Sequence, residues 1–151
     1  CIFSEIKFSE PMLGIYVGFF YLFLYYYFSN KKIRFLKIAL LISVPGYCFD
    51  SLMVYLSIYE FNTSFKIGIL PIWMIVLWLC FSTLFDEILT FFKQFKILGI
   101  LLSSLLGPIT YYLGDPIEVI SINNLILFFL LMIIFWLCLM FYYLEIILKK
   151  Y

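Results

Sequence analysis

The chain contains no histidine, and only 13% of its 151 residues are charged. The first absence removes imidazole bases, Ser-His-Asp triads and His-ligated metal or haem sites. The second is about half the charge of a soluble domain. No two cysteines have CxxC spacing. Cys1, Cys48, Cys80 and Cys138 are scattered, three of them inside apolar runs, where a thiol acts as a small apolar filler. The net charge is +1, so the chain lacks the basic balance of a nucleic-acid-binding domain. No cofactor and no metal are expected. No stretch between the apolar runs is long enough to fold as a soluble domain, and no internal repeat is visible.

What remains is 66% hydrophobic and 23% aromatic. It falls into five apolar runs, at about 11–28, 36–59, 70–92, 97–113 and 122–148. A helix needs about 20 mostly apolar residues to cross a bilayer. The runs therefore predict an all-α, polytopic transmembrane helical bundle, with residues 1–151 as a single integral membrane domain. Pro11 suits a first helical turn, and Tyr25-Tyr26-Tyr27-Phe28 reads as an interfacial aromatic belt. The stretches Glu60–Gly68 and Gly114–Asn123 read as loops. Asn62-Thr63-Ser64 fits a glycosylation sequon that arises by chance as readily as by design. Residue 1 is Cys rather than Met, and residues 1–10 read as the end of an earlier span.

Loop charge sets an orientation. One face receives Lys31, Lys32, Arg34, Lys37, Lys93, Lys96, Lys149 and Lys150, and the opposite face receives only Lys7 and Lys66. Basic residues accumulate on the cytoplasmic side. The C-terminus is expected inside, with Glu5, Glu10, Glu60, Asp115 and Glu118 outside.

Acids within apolar runs are costly and need a partner, a proton, a water path or a function. Asp50 lies nine residues before the end of the second run, about 13 Å of helix, too deep to reach the interface. Ser43, Gly46, Tyr47, Asp50, Val54 and Ser57 share one helical face, and Pro45 frees a carbonyl one turn back. This face is expected to point into the bundle, as a substrate or proton site or as an interhelical hydrogen bond. Thr83, Asp86, Glu87 and Thr90 form a second polar stripe. Asp86 and Glu87 read either as a wet helix end near the cytoplasmic face or as an acidic pocket able to serve as general acid and base. Trp73 and Trp78 read as interfacial anchors or as a pocket wall. Gly99, Ser103 and Gly107 form a small-residue face for close helix packing. Pro108 and Tyr111 follow, and the segment reads alternatively as a broken helix lining a cavity. Gly14 and Gly18 make the same packing argument in the first run, while the fifth run is expected to face lipid or a partner helix.

The order Gly46…Asp50, then Pro71-Ile72-Trp73-Met74…Leu77-Trp78…Phe81-Ser82-Thr83, then Gly107-Pro108-Ile109-Thr110-Tyr111…Gly114 resembles a bacterial inner-membrane family known as domain of unknown function 2878. The resemblance covers about residues 10 to 120. It implies a helix before Cys1, hence six spans in the intact protein with both ends in the cytoplasm. The chain departs from the family pattern at Asp86 and Glu87, where an amide and a neutral or basic residue are commoner, and this favours Asp50 over an acidic dyad. The family brings no reaction. Its association with gene sets for modifying membrane fatty acids implies lipid metabolism.

Three functions follow as expectations. The first is an accessory or lipid-binding protein in envelope lipid modification or movement, in the bacterial inner membrane. Asp50, Gly46, Tyr47, Asp86 and Glu87 would form its intramembrane polar site, and Trp73, Trp78, Gly107, Pro108 and Tyr111 its pocket lining. The second is a structural subunit of a larger membrane complex. The third is a membrane-embedded acid/base enzyme using Asp50; without histidine or a metal-ligand cluster its catalytic kit is thin, and the reading leans away from an enzyme. A proton-coupled transporter would call for an inverted repeat that the chain lacks. The expected partners are membrane lipids and other membrane proteins, not nucleic acid.

Overall fold

The computed structural model describes residues 11–63, 66–87, 91–92 and 94–147. Five helices dominate, with 76% of the described residues helical. They are α1 (Pro11–Phe28), α2 (Lys32–Tyr55), α3 (Ile72–Glu87), α4 (Lys96–Tyr112) and α5 (Leu125–Tyr142). A π-helical turn, Tyr143–Ile147, continues α5. Two helices are long and apolar enough to cross a membrane: α2 with 24 residues, and α5 with 21 when followed to Glu145. The other three are apolar and shorter.

The stretches read as loops, with the adjoining ends of the apolar runs, hold four short strands, which an all-α reading did not include. They are β1 (Tyr59–Phe61), β2 (Lys66–Ile67), β3 (Leu70–Pro71) and β4 (Ile120–Ile122). Strands β2 and β3 form a hairpin whose turn holds Gly68 at φ +67°, a left-handed backbone suited to glycine. Strand β1 pairs antiparallel with β4, Glu60 opposite Ser121. Asn62, the sequon asparagine, donates its amide to the Glu118 carbonyl at 3.1 Å and the Ser121 hydroxyl at 2.8 Å. Asn123 returns a bond to the Ser57 carbonyl at 3.0 Å.

These strands move three of the expected boundaries. The second run, read as 36–59, is helical from Lys32 to Tyr55. Lys and Arg are good helix formers, so the basic segment joins the helix. Ser57, at φ 54°, then turns the chain into β1. The third run, read from Leu70, begins its helix at Ile72 because Leu70–Pro71 pairs with β2. The fifth, read from Ile122, begins at Leu125, because Ile122 belongs to β4 and Asn124 caps the helix, its side-chain oxygen accepting the Leu127 N–H at 3.1 Å.

The helices pack in two groups. Helices α1 and α2 both lie against α3, and α4 lies against α5. The groups meet where Phe49 of α2 stacks on Phe135 of α5, ring centroids 3.9 Å apart, and where β1 pairs with β4. The small residues mark the closest seams. A methyl group at Gly18 would stand 2.3 Å from Val76 of α3, and one at Gly107 would stand 2.3 Å from the Trp136 ring of α5. Helix α4 runs unbroken through Gly107-Pro108, so the broken-helix reading is corrected. On the small-residue face, Gly107 packs on Trp136 and Gly99 lies near Met140 of α5, while Ser103 borders an open space. Helix α5 buries Phe128, Met132, Trp136, Leu139 and Met140 on one face and leaves Ile126, Leu130, Ile134 and Phe141 exposed.

Gly107→Ala is expected to lower stability by about 1–3 kcal/mol through overpacking against Trp136. Leu105→Ala, on the exposed face of α4, should change it by no more than about 0.5 kcal/mol. Thermal unfolding of the purified variants, followed by circular dichroism, makes the comparison. Equal transitions would contradict the close α4–α5 approach.

Candidate functional site: a buried carboxyl behind an aromatic cavity

Asp50 is fully buried, with 0% exposure. The α2 face that carries it turns inward. Ser43 and Gly46 are buried and Tyr47 is half-buried, whereas Ser57 lies beyond the helix end on the surface. Three neutral donors from three other elements converge on the carboxyl. The Tyr59 hydroxyl of β1 donates to Oδ1 at 2.6 Å. The Trp78 indole N–H of α3 donates to Oδ2 at 2.6 Å. The Tyr111 hydroxyl of α4 reaches Oδ2 at 2.9 Å and Oδ1 at 3.1 Å. Gly46 makes the α2–α3 approach possible, since a methyl group there would lie 2.5 Å from the Trp78 ring.

The donors differ in chemistry. An indole N–H can only donate, so Trp78 fixes one carboxyl oxygen as an acceptor. A phenol can donate or accept, so Tyr59 and Tyr111 can adapt to the proton inventory of the site. Every hydrogen-bond partner of Asp50 is uncharged, and together they offset the cost of removing the carboxyl from water.

Trp78 and Tyr111 present their other faces to a cavity of about 270 Å³. Its wall is almost wholly apolar and aromatic, with Phe61, Trp73, Phe81 and Trp136 as the large members. The rings are mutually braced. Trp78 and Trp136 stack at 6.0 Å, Phe81 meets Trp136 edge-on at 5.4 Å, and Phe61 meets Trp73 edge-on at 5.5 Å. Asp50 does not line this space. It stands behind the wall and holds two of its members in place. The indole N–H groups of Trp73 and Trp136 are buried without a hydrogen-bond partner, unlike that of Trp78.

The structure therefore brings together Asp50, Gly46, Trp73, Trp78 and Tyr111. Gly107 lies one turn of α4 below, against Trp136 and on the wall of a second cavity of about 240 Å³. Pro108 is buried within α4 and lines neither space. Tyr47 packs against the core rather than joining the carboxyl group's bonds. Asp86 and Glu87 end helix α3, and their side chains lie outside the described part of the structure. Thr83 of their stripe is buried, its hydroxyl 2.9 Å from that of Tyr21 on α1, so that end of the stripe serves α1–α3 packing. Among the described residues no cluster of three or more His, Cys, Asp or Glu side chains could hold a metal ion.

Tyr59, Phe61 and Trp136 were not singled out from the sequence. Tyr59 lay at the end of an expected span, and its bond to Asp50 exists only because the chain reverses at Ser57. Trp136 had one available signal: it is the single indole in the fifth run.

Removing the acceptor should strand three buried donors. Asp50→Ala is expected to cost about 3 kcal/mol or more, since each orphaned group costs about 1–3 kcal/mol. Asp50→Asn should cost about 1 kcal/mol, because the amide oxygen can still accept from Trp78 while the phenols adapt. A double-mutant cycle of Asp50→Ala with Trp78→Phe should show coupling of about 1–3 kcal/mol. Denaturant unfolding of the four proteins measures it, and strict additivity would refute the bond's role.

Compared with known proteins, the chain matches no curated protein and no solved structure. Its sequence does match a family pattern across residues 3–142, which takes in all five helices, the four strands and every residue bonded to Asp50. The chain belongs to the family described as "Protein of unknown function (DUF2878)".

Proposed function

We propose that this protein is a polytopic inner-membrane protein that binds a lipid chain, serving envelope lipid modification or movement as an accessory or lipid-binding partner. The observation that carries the reading is the aromatic cavity whose wall is pinned from behind by Asp50. A pocket this apolar suits hydrocarbon, and few polar groups are needed to orient such a ligand.

Five membrane crossings are part of this reading. Helices α2 and α5 have the length, and α1, α3 and α4 have the composition. Large apolar side chains are exposed around the bundle, among them Val17, Phe20 and Phe23 of α1, Leu40 of α2 and Leu105 of α4. In water they would be a liability; against lipid tails they are a solvated surface. Along the sequence, eight of the ten Lys and Arg residues belong to the segments assigned to one side, and basic residues favour that side as the cytoplasmic one. The β1–β4 pair then caps the outer face.

Asp50 serves in this reading as a positioning residue. It is sealed from the cavity, and the aromatic pair it holds meets the ligand. An acid/base role for it would require the carboxyl to reach a substrate through Trp78 and Tyr111.

The test is a lipid profile of a deletion strain, rescued with wild type, Asp50→Asn or Trp78→Ala, each at matched membrane abundance. Wild type should restore the profile. Asp50→Asn should fold yet fail, because a phenol must then accept from the amide rather than donate, and Tyr111 shifts from its place in the wall as it adapts. Trp78→Ala should fail as well. A profile equal to wild type in both variants would sink the cavity as the functional site.

A further inference from the structure

The two cavities adjoin. Both are lined by Phe81 of α3, Thr110 of α4 and Trp136 of α5, which stand between them. Helices α3 and α4 form the two long walls, and they barely touch each other. Each packs on a different neighbour, α3 on α1 and α2, α4 on α5. A fissure is left between them, with Trp136 and Met140 of α5 at its floor.

The fissure is tied at both ends and open along its side. At the outer end, Asp50 bonds both Trp78 of α3 and Tyr111 of α4, and β1 pairs with β4 above them. At the inner end, the π-helical turn after α5 holds both walls. The Tyr143 hydroxyl donates to the Phe85 carbonyl of α3, and Glu145 pairs with Lys96 of α4. Between these ties, Leu84 of α3 and Leu102 and Leu106 of α4 line the inner cavity and are also exposed on the outer surface of the bundle. A ligand therefore has a side entrance, facing the lipid if the helices cross the bilayer as proposed.

Length and charge narrow the occupant. Along α4 the lining runs from Gly99 to Tyr111, roughly 18 Å of helix, close to the depth of one bilayer leaflet at about 15 Å. The two spaces are small, about 270 and 240 Å³, which suits one hydrocarbon chain. None of the residues lining either cavity is ionisable as an acid or a base, apart from the Tyr111 phenol already bonded to Asp50. Acidic residues flank the outer lining along the chain. Asp115 follows the lining residue Gly114, Glu118 precedes Val119 and Glu60 precedes Phe61, against Lys66 in the adjacent hairpin. At the inner end Lys96 is paired with Glu145. Such a site repels a carboxylate headgroup.

We infer that the α3–α4 fissure is a lateral-entry slot for one long hydrocarbon chain bearing an uncharged headgroup, taken up lengthwise with the head at the outer end and Trp136 at mid-chain. This rests on the lipid-binding reading above and adds the ligand's class, orientation and route. Monoacylglycerols and long-chain alcohols, including prenols, share that chemistry.

The chain supplies its own reporters, because its three tryptophans, Trp73, Trp78 and Trp136, all line the outer cavity. Dibrominated monostearoylglycerol should quench their fluorescence saturably in detergent-solubilised full-length protein. Dibrominated stearic acid should need at least about tenfold more at neutral pH. Dibrominated diacyl phosphatidylcholine should not compete at comparable concentration. A brominated prenol run beside the monoacylglycerol separates the two neutral sources by affinity. Ser103→Phe, which fills the inner cavity, should weaken the stearoyl probe about tenfold and leave a bromo-octanoyl glycerol unchanged; the smaller Ser103→Leu should give an intermediate shift and guards against misfolding. Equal binding of the fatty acid, or effective competition by the two-chain lipid, overturns the assigned class. A stearoyl affinity indifferent to both Ser103 variants, with octanoyl binding intact, overturns the continuous slot alone. Absence of saturable quenching at either chain length removes the lipid-binding reading with it.

Discussion

A carboxyl with no solvent exposure must find its hydrogen bonds inside the protein, and the architecture depends on how Asp50 does so. Its partners come from β1, α3 and α4, and Asp50 itself comes from α2. Four elements, spread over more than sixty residues of chain, are thereby referred to two oxygen atoms. Apolar packing alone is non-directional and would let these elements slide or rotate. The indole N–H is the strictest member, because it cannot exchange donor for acceptor. Trp78 therefore has one position relative to α2, and Gly46 is the residue that lets it be reached.

That constraint has a consequence on the far side of the wall. Trp78 and Tyr111 are held at their polar edges, so their apolar faces are free to form a surface. Trp136, Phe81 and Trp73 extend it through edge-on and stacked contacts. The result is a preformed apolar space between two helices that do not close on each other. In most helical bundles a gap of this kind would collapse. Here the walls are kept apart by ties at each end: the carboxyl hub and the β1–β4 pair outside, and the π-helical turn with Tyr143 and Glu145 inside. The π-helical geometry itself, uncommon within helices and often found at functional places, occurs where the inner tie is made.

The interior acids of the sequence therefore part company. Asp50 is enclosed and fully engaged, a structural anchor that shapes a site without facing it. Asp86 and Glu87 are the last described residues of α3, and Thr83, one turn earlier, is used for packing against α1. The chemistry available in the cavity wall is that of indole, phenol and hydrocarbon.

The five helices were legible in the sequence because a helix satisfies its own backbone, and a long apolar run with charged or turn-forming ends has few other solutions. The small-residue seams were legible for a similar reason: Gly99, Ser103 and Gly107 repeat at the helical period. Asp50 was legible because an acid in an apolar run is anomalous wherever it is found. Its partners were not. Tyr59 sits nine residues away past a reversal at Ser57, and Tyr111 sixty-one residues away on a helix of different group. Nor were the strands, since β1 and β4 are three residues each and pair residues as distant in the chain as Glu60 and Ser121. Local sequence determined the elements and the presence of one buried acid. Only tertiary structure decided which three donors face that acid and that α3 and α4 stand apart, because both depend on contacts between residues whose separation along the chain carries no periodic signal.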